Sequence, residues 1–212
     1  MVVEFAPSGK NATQTVLLEN TEKTRVALQL EVMKRKVDID GKEDRSEPAS
    51  DFVLYPDQLT LEPGQRRNVR LTWTGNAAPS AEQAFRLVAS QLPVTLARPT
   101  NRVDVKVNLK FILQYVASLY VIPDGAKPDI RVESAKIKKA GRAEIVLKNS
   151  GGAHRVLEKS NIKVHSKEKE FAVPEAEMKE LRSQNILGGS SRRIEVSVPK
   201  DFHDISAEIH FD

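Results

Sequence analysis

The sequence predicts an all-β protein built as two consecutive β-sandwiches. Apolar residues recur with a period of two rather than 3.6 along most of the chain. Turn residues interrupt that alternation at short intervals, as in sandwiches. The pattern breaks at Ile122-Pro123-Asp124-Gly125, where proline removes a ladder donor and glycine permits a backbone that other residues avoid. The expected domains are residues 1–122 and 123–212, with the hinge at Pro123.

Each element follows from the same alternation. In the first half the expected strands are Thr13 to Leu18, Arg25 to Val32, Asp51 to Leu54, Asn68 to Trp73 and Phe85 to Ala89. Between and around them lie Pro7-Ser8-Gly9, Asn20-Thr21, Asp40-Gly41, Glu62-Pro63-Gly64 and Thr74-Gly75-Asn76, all turn chemistry. A much longer strand pattern runs from Val103 to Val121. Beyond the hinge the strands are Ile130 to Ile137, Ala143 to Lys148, Val156 to Val164, Arg193 to Val198 and Ile205 to Phe211. One short helix is expected within Pro174 to Asn185, opened by the proline and presenting Met178 and Leu181 on one face.

Composition sets the outer limits. A chain of 212 residues with 40% apolar and 29% charged residues can bury a core, and aromatics at 5% leave most packing to aliphatic side chains. The formal charge of +4 is weak support for nucleic acid. No apolar run reaches the roughly 18 residues of a membrane-spanning helix. The start, Met-Val-Val-Glu-Phe, lacks the basic and apolar regions of a signal peptide, so either the protein is cytosolic or that peptide has been removed. The absence of cysteine excludes disulfides, thiol catalysis and thiolate metal centres.

Little in the chain suggests catalysis. His154, His165, His203 and His210 show no helical ligand spacing and read as surface or strand histidines, so no metal is expected. Gly188-Gly189-Ser190-Ser191 reads as a tight turn, not a nucleophile elbow. Asp38, Asp40, Glu43 and Asp44 lack the order of a calcium loop and read as a solvated hairpin. Lys34-Arg35-Lys36 reads as a solvated strand end. No enzyme, cofactor or small-molecule substrate is expected.

The long strand is different. Its odd positions Leu109, Phe111, Leu113, Tyr115, Ala117 and Leu119 form a continuous apolar row, while its even positions are mixed, with Ile112 and Val116 suited to a core. Either the odd row fills the domain's own core, or it is offered to a partner along an open edge. The first would suit a two-domain structural or interaction protein of the cell envelope; the second would suit strand addition to another chain.

Several segments together bear on that choice. Phe52 to Gln65, with Val69-Arg70-Leu71, resembles the first-domain signature of periplasmic pilus-assembly chaperones of the chaperone–usher pathway. Glu82 to Leu87 followed by Gln91-Leu92-Pro93-Val94 resembles it too, as does the opening Phe5-x-Pro7-x-Gly9 with Leu18-x-Asn20. Leu147 to His154 and Ile186 to Ser190 are weaker likenesses in the second half.

The resemblance implies two immunoglobulin-like β-sandwich domains in a boomerang, in the periplasm. It implies donor-strand complementation of secreted pilin-like subunits, with Leu109, Phe111, Leu113, Tyr115 and Ala117 as the donated row, and delivery to an outer-membrane usher. It implies no nucleic-acid partner, and an open donor edge suggests self-association. Glu82 and Pro123 fall at the family's interdomain positions.

Two positions depart from the family. Its members hold the client's terminal carboxylate with an arginine from the first strand and a lysine from the donor strand. Here the first strand reads Val2-Val3-Glu4-Phe5, and Ser118 stands at the lysine position. Arg86 is the candidate anchor in their place. It shares strand parity with Glu82, opposite the core-suited Phe85 and Leu87.

Overall fold

The computed structural model describes residues 1–92 and 113–211. In chain order the strands of the first part are β1 (Val2–Phe5), β2 (Thr13–Glu19), β3 (Val26–Lys34), β4 (Lys36–Val37), β5 (Glu43–Asp44), β6 (Phe52–Tyr55), β7 (Gln58–Leu61), β8 (Arg66–Trp73), β9 (Gln83–Leu92) and β10 (Gln114–Val121). There follow β11 (Ile130–Lys139), β12 (Arg142–Asn149), β13 (Arg155–Val156), β14 (Ser160–Ser166), β15 (Lys169–Ala172), the helix α1 (Glu175–Leu181), β16 (Asn185–Ile186), β17 (Ser191–Ser197) and β18 (Ile205–Phe211).

The chain forms two compact units. The first comprises residues 1–34, 45–78 and 84–121; the second comprises 35–44, 79–83 and 122–212.

In the first unit a five-stranded sheet, ordered β1-β10-β9-β3-β7, faces a three-stranded sheet, β2-β8-β6. Alternate residues of both enter one core, including Val16, Leu30, Leu71, Phe85 and Leu119. Phe52 sits at its aromatic centre, edge-on to Phe5, Trp73 and Phe85 at 5.4, 5.1 and 5.0 Å between centroids.

The second unit packs the sheets β11-β12-β17 and β15-β14-β18 around a second core. On β12, Ala143, Ile145 and Leu147 are buried between the polar or half-buried residues that alternate with them; on β14, Ile162 and Val164 do the same. The helix seals this core with Met178 and Leu181. Glu175 and Glu177 lie in its first turn, where they complement the helix dipole.

One device recurs in both units. Asn20 ends β2, is buried, and donates to the carbonyls of Thr24 and Leu61 at 2.8 and 3.0 Å while accepting from Glu22 N–H at 3.0 Å. Asn149 ends β12, is fully buried, and donates to Ala153 and Ile186 at 2.8 and 3.1 Å while accepting from Gly151 N–H at 3.0 Å. Each asparagine's backbone N–H bonds the turn before the neighbouring strand, at Gln65 O in one unit and Ser190 O in the other. Both turns carry a left-handed glycine at their third position, Gly64 at φ 72° and Gly189 at φ 71°.

Some expectations need correction. Val156 to Val164 is two strands, not one. Leu157 and Ile162 are both buried, yet they have opposite parity and cannot share a face of an unbroken strand. Lys159, at φ 54°, makes the break. The short strands β7, β15 and β16 were not expected. Of the long Val103 to Val121 strand, the part before Leu113 lies outside the described residues.

Candidate functional site

The candidate site is built on β10. At its C-terminal half this strand is held on both sides. β9 lies on one side, and β1 runs parallel on the other, pairing Val2 with Ser118, Val3 with Leu119, Glu4 with Tyr120 and Phe5 with Val121. At its N-terminal half only β9 flanks it among the described residues. Leu113 O accepts from Gln91 N–H at 2.9 Å, and Gln114 Nε2 donates to Ser90 Oγ at 3.1 Å. The outer edge of Gln114–Ala117 therefore has no strand on it among the described residues.

The direction of its backbone groups follows from two bonds. Ser118 N–H donates outward to Met1 O at 3.1 Å, and Leu113 O points inward to β9. A strand alternates, so the N–H and C=O groups of Gln114 and Val116 face the open edge, and those of Tyr115 and Ala117 face β9.

The side chains divide along the same strand. Val121, Leu119 and Ala117 are core residues of the first unit, Ala117 at 6% exposure. Leu113 and Tyr115, on the same face by parity, are 48% and 56% exposed. The row is thus continuous in direction, but the sandwich covers only its far end. Ala117, expected in the donated row, is instead packed within the first unit's own core. Leu109 and Phe111 lie outside the described residues. Beside Leu113 and Tyr115 opens a cavity of about 250 Å³, lined also by Leu17, Val26, Leu28 and Leu61. Among the described residues this end of the sandwich thus presents an apolar surface bordered by Glu19, Glu22 and Gln91, of the kind that marks a binding site.

Arg86 lies on β9 on the face opposite the buried Phe85 and Leu87, and its Nη1 donates to Ser118 Oγ. Ser118 in turn is in register with Val2. Ser118, at the position where the resemblance places a lysine, thus neighbours the first strand across the sheet, and the Arg86 guanidinium reaches Ser118 from one strand further in. It is half-buried beside a hydroxyl.

Glu82 and Pro123 both belong to the second unit. The Glu82 carboxylate is 1% exposed and meets His154 twice, accepting from its backbone N–H at 3.1 Å and lying 2.7 Å from its Nδ1. The backbone N–H of Glu82 bonds Gly152 O at 2.8 Å. His154 was expected only as a surface or strand histidine. The missed signal is its place just after Gly151-Gly152, where a small-residue loop lets backbone approach closely; a Cβ on Gly151 would lie 2.2 Å from Lys127 O. Pro123 O accepts from Ala126 N–H at 3.1 Å in a turn containing Gly125 at φ 78°.

Residues 4–127 match the family described as pili and flagellar-assembly chaperone, PapD N-terminal domain. Among solved structures, the chain resembles one in the CsuC-CsuE chaperone-tip adhesion subunit pre-assembly complex of Acinetobacter baumannii, with TM-score 0.58 and 17% identity over 91% of this chain and 86% of that one. It resembles the class 5 fimbriae chaperone CfaA, with TM-score 0.60 and 15% identity over 100% of this chain and 89% of that one. It also resembles the E. coli chaperone DraB, with TM-score 0.56 and 19% identity over 98% of this chain and 93% of that one. No curated protein matches the sequence.

Proposed function

The chain belongs to the family of pili and flagellar-assembly chaperones, and on that premise we propose that it captures pilin-like subunits by donor-strand complementation at the open edge of β10. The observation that carries this reading is the uncovered half of the apolar row. Leu113 and Tyr115 stand exposed where, among the described residues, no strand pairs with the outer edge of β10, in direct continuation of core residues Ala117, Leu119 and Val121. A sandwich lacking one strand exposes just the complement: an apolar groove flanked by unpaired backbone.

The energy is that of completing a fold. Each large apolar side chain buried contributes roughly 1.5–3 kcal/mol before ordering and association costs. Leu109 and Phe111 continue the alternation in sequence and lengthen the proposed donor row. No nucleotide and no catalytic group is needed for such an exchange. Arg86 is the proposed anchor for the client's terminal carboxylate, as a charge-assisted pair. Residence in the periplasm and delivery to an outer-membrane usher belong to the same proposal, as does self-association through the edge when no client is present. Residues 1–122 carry the donor strand in this proposal, and residues 123–212 form the second domain.

The test is capture of a strand-deficient subunit encoded beside this gene. Leu113→Asp with Tyr115→Asp abolishes capture while leaving the melting temperature unchanged, because both side chains are exposed. Arg86→Ala weakens capture by about tenfold or more, and amidating the client's C-terminus adds nothing further in that background. Full capture by the double variant would overturn the proposal. Full capture by Arg86→Ala would remove only the anchor.

A further inference from the structure

The second unit carries a cluster that client capture does not use. Its sheet β15-β14-β18 presents His165, Glu170, Glu208 and His210 outward. The antiparallel register brings them together from three strands. His165 stands opposite Glu170 of β15, and Lys163 opposite Glu208 and Asn161 opposite His210 of β18. Residues two apart share a face, so Lys163 and His165 of β14 stand with Glu208 and His210 of β18, while Ile162 and Val164 point into the core. At the centre, Glu208 Oε1 lies 2.9 Å from His210 Nε2 and 3.4 Å from His165 Nε2. Glu170 Oε2 lies 3.9 Å from His165 Nδ1. One donor atom each from His165, Glu170 and Glu208 falls within 4.8 Å of the others.

We infer that this face binds one zinc-class divalent transition-metal ion, with His165, Glu170 and Glu208 as ligands and His210, which bonds Glu208, holding that carboxylate in place. Imidazole with carboxylate is a donor set for zinc and its neighbours in the first transition row. Calcium and magnesium instead require oxygen ligands in larger number. Zinc bonds of 2.0–2.1 Å in a tetrahedron set adjacent donors about 3.3 Å apart, and Glu208 Oε1 stands 3.4 Å from His165 Nε2. The ion takes the place of the proton on His165 Nε2, between that ring and Glu208. The carboxylate already serves as a shared acceptor for both rings, so little rearrangement is required.

Two features of the surroundings shape the site. The carboxyl of Glu208 is held below its ordinary range, first by its hydrogen bond with His210. Lys163 is the competitor. Its ammonium pairs with Glu170 Oε1 at 2.9 Å, and metal binding must turn it aside. An exposed pair of this kind contributes little and gives way.

The test uses the full chain stripped with chelator and titrated with zinc chloride by calorimetry, with the four histidine rings followed by NMR. Saturable binding of one zinc is expected, shifting the rings of His165 and His210 and leaving those of His154 and His203 in place. Outer-shell changes at metal sites already cost 10–100-fold, so His165→Ala and His210→Ala each weaken binding by about tenfold or more. Lys163→Met strengthens it, and calcium chloride gives no saturable signal. Metal-free melting curves establish that the variants fold; if one does not, the ring shifts of the unaltered chain decide. The inference is overturned if zinc does not saturate, if it shifts His154 or His203 instead, or if both alanine variants bind it unchanged.

Discussion

Asn20 and Asn149 show how single residues set this architecture. Each is a buried amide that satisfies two carbonyls and at least one N–H at the end of a strand. Asn149 accepts a further bond from Asp129 N–H at 3.0 Å. Truncation strands these groups, and each unsatisfied buried group costs about 1–3 kcal/mol. Asn149→Ala therefore destabilises the second unit by at least about 3 kcal/mol, and Asn20→Ala does the same to the first, as read from urea unfolding. A loss under about 1 kcal/mol would mean that water replaces the amide at no cost. The two asparagines were legible in sequence as Leu18-x-Asn20 and Leu147-Lys148-Asn149, but their distant partners Leu61 and Ile186 were not, because nothing local specifies which carbonyl lies across the gap.

At the scale of the element, β10 has two fates along one row of side chains. Parity alone could not choose between core and donated, since both readings use the same face. Choosing needed the extent of the opposing sheet, which is a tertiary fact. The contrast makes a sharp prediction. Ala117→Asp places a charge in the core at a position 6% exposed and unfolds the first unit, whereas Tyr115→Asp, two residues earlier and 56% exposed, leaves its melting transition in place. Equal loss in both variants would show that the sandwich extends over Tyr115 as well. The elements that sequence located best, β2, β3, β8, β12 and β18, have clear alternation and flanking turns. Those it missed, β7, β15 and β16, are four residues or fewer and alternate too briefly to register.

Across the whole molecule, charge is distributed unevenly in its consequences. Four described carboxyls lie below their ordinary range, and all belong to the second unit. Glu144 is held down first by its hydrogen bond with Lys136, Glu195 by Lys138, Asp201 by Lys169 and Glu208 by His210. A depressed folded-state pKa contributes stability above the unfolded value and loses it as pH falls through the folded one. Glu195, Asp201 and Glu208 are exposed and Glu144 is half-buried, so most of these shares are small, but their sign is common. Acidification from neutral to about pH 3 therefore lowers the melting transition of the second unit more than that of the first. Trp73 is the single tryptophan and sits in the first core, so its fluorescence reports the first unit while circular dichroism reports both. Coincident acid shifts by the two probes would contradict the prediction. The two-sandwich class was legible from period and turns. The assignment of residues 35–44 and 79–83 to the second unit was not, because it depends on bonds such as Arg193 N–H to Ile39 O at 2.7 Å.

The measurement closest to the central claim is amide hydrogen exchange along β10 with and without a bound pilin-like client. Gln114 and Val116 direct their N–H groups to the open edge, and Tyr115 and Ala117 direct theirs to β9. Donor-strand complementation predicts strong new protection at Gln114 and Val116 on capture, with little change at Ala117. Capture that leaves the Gln114 and Val116 amides exchanging as fast as in the free protein would show that the client docks elsewhere.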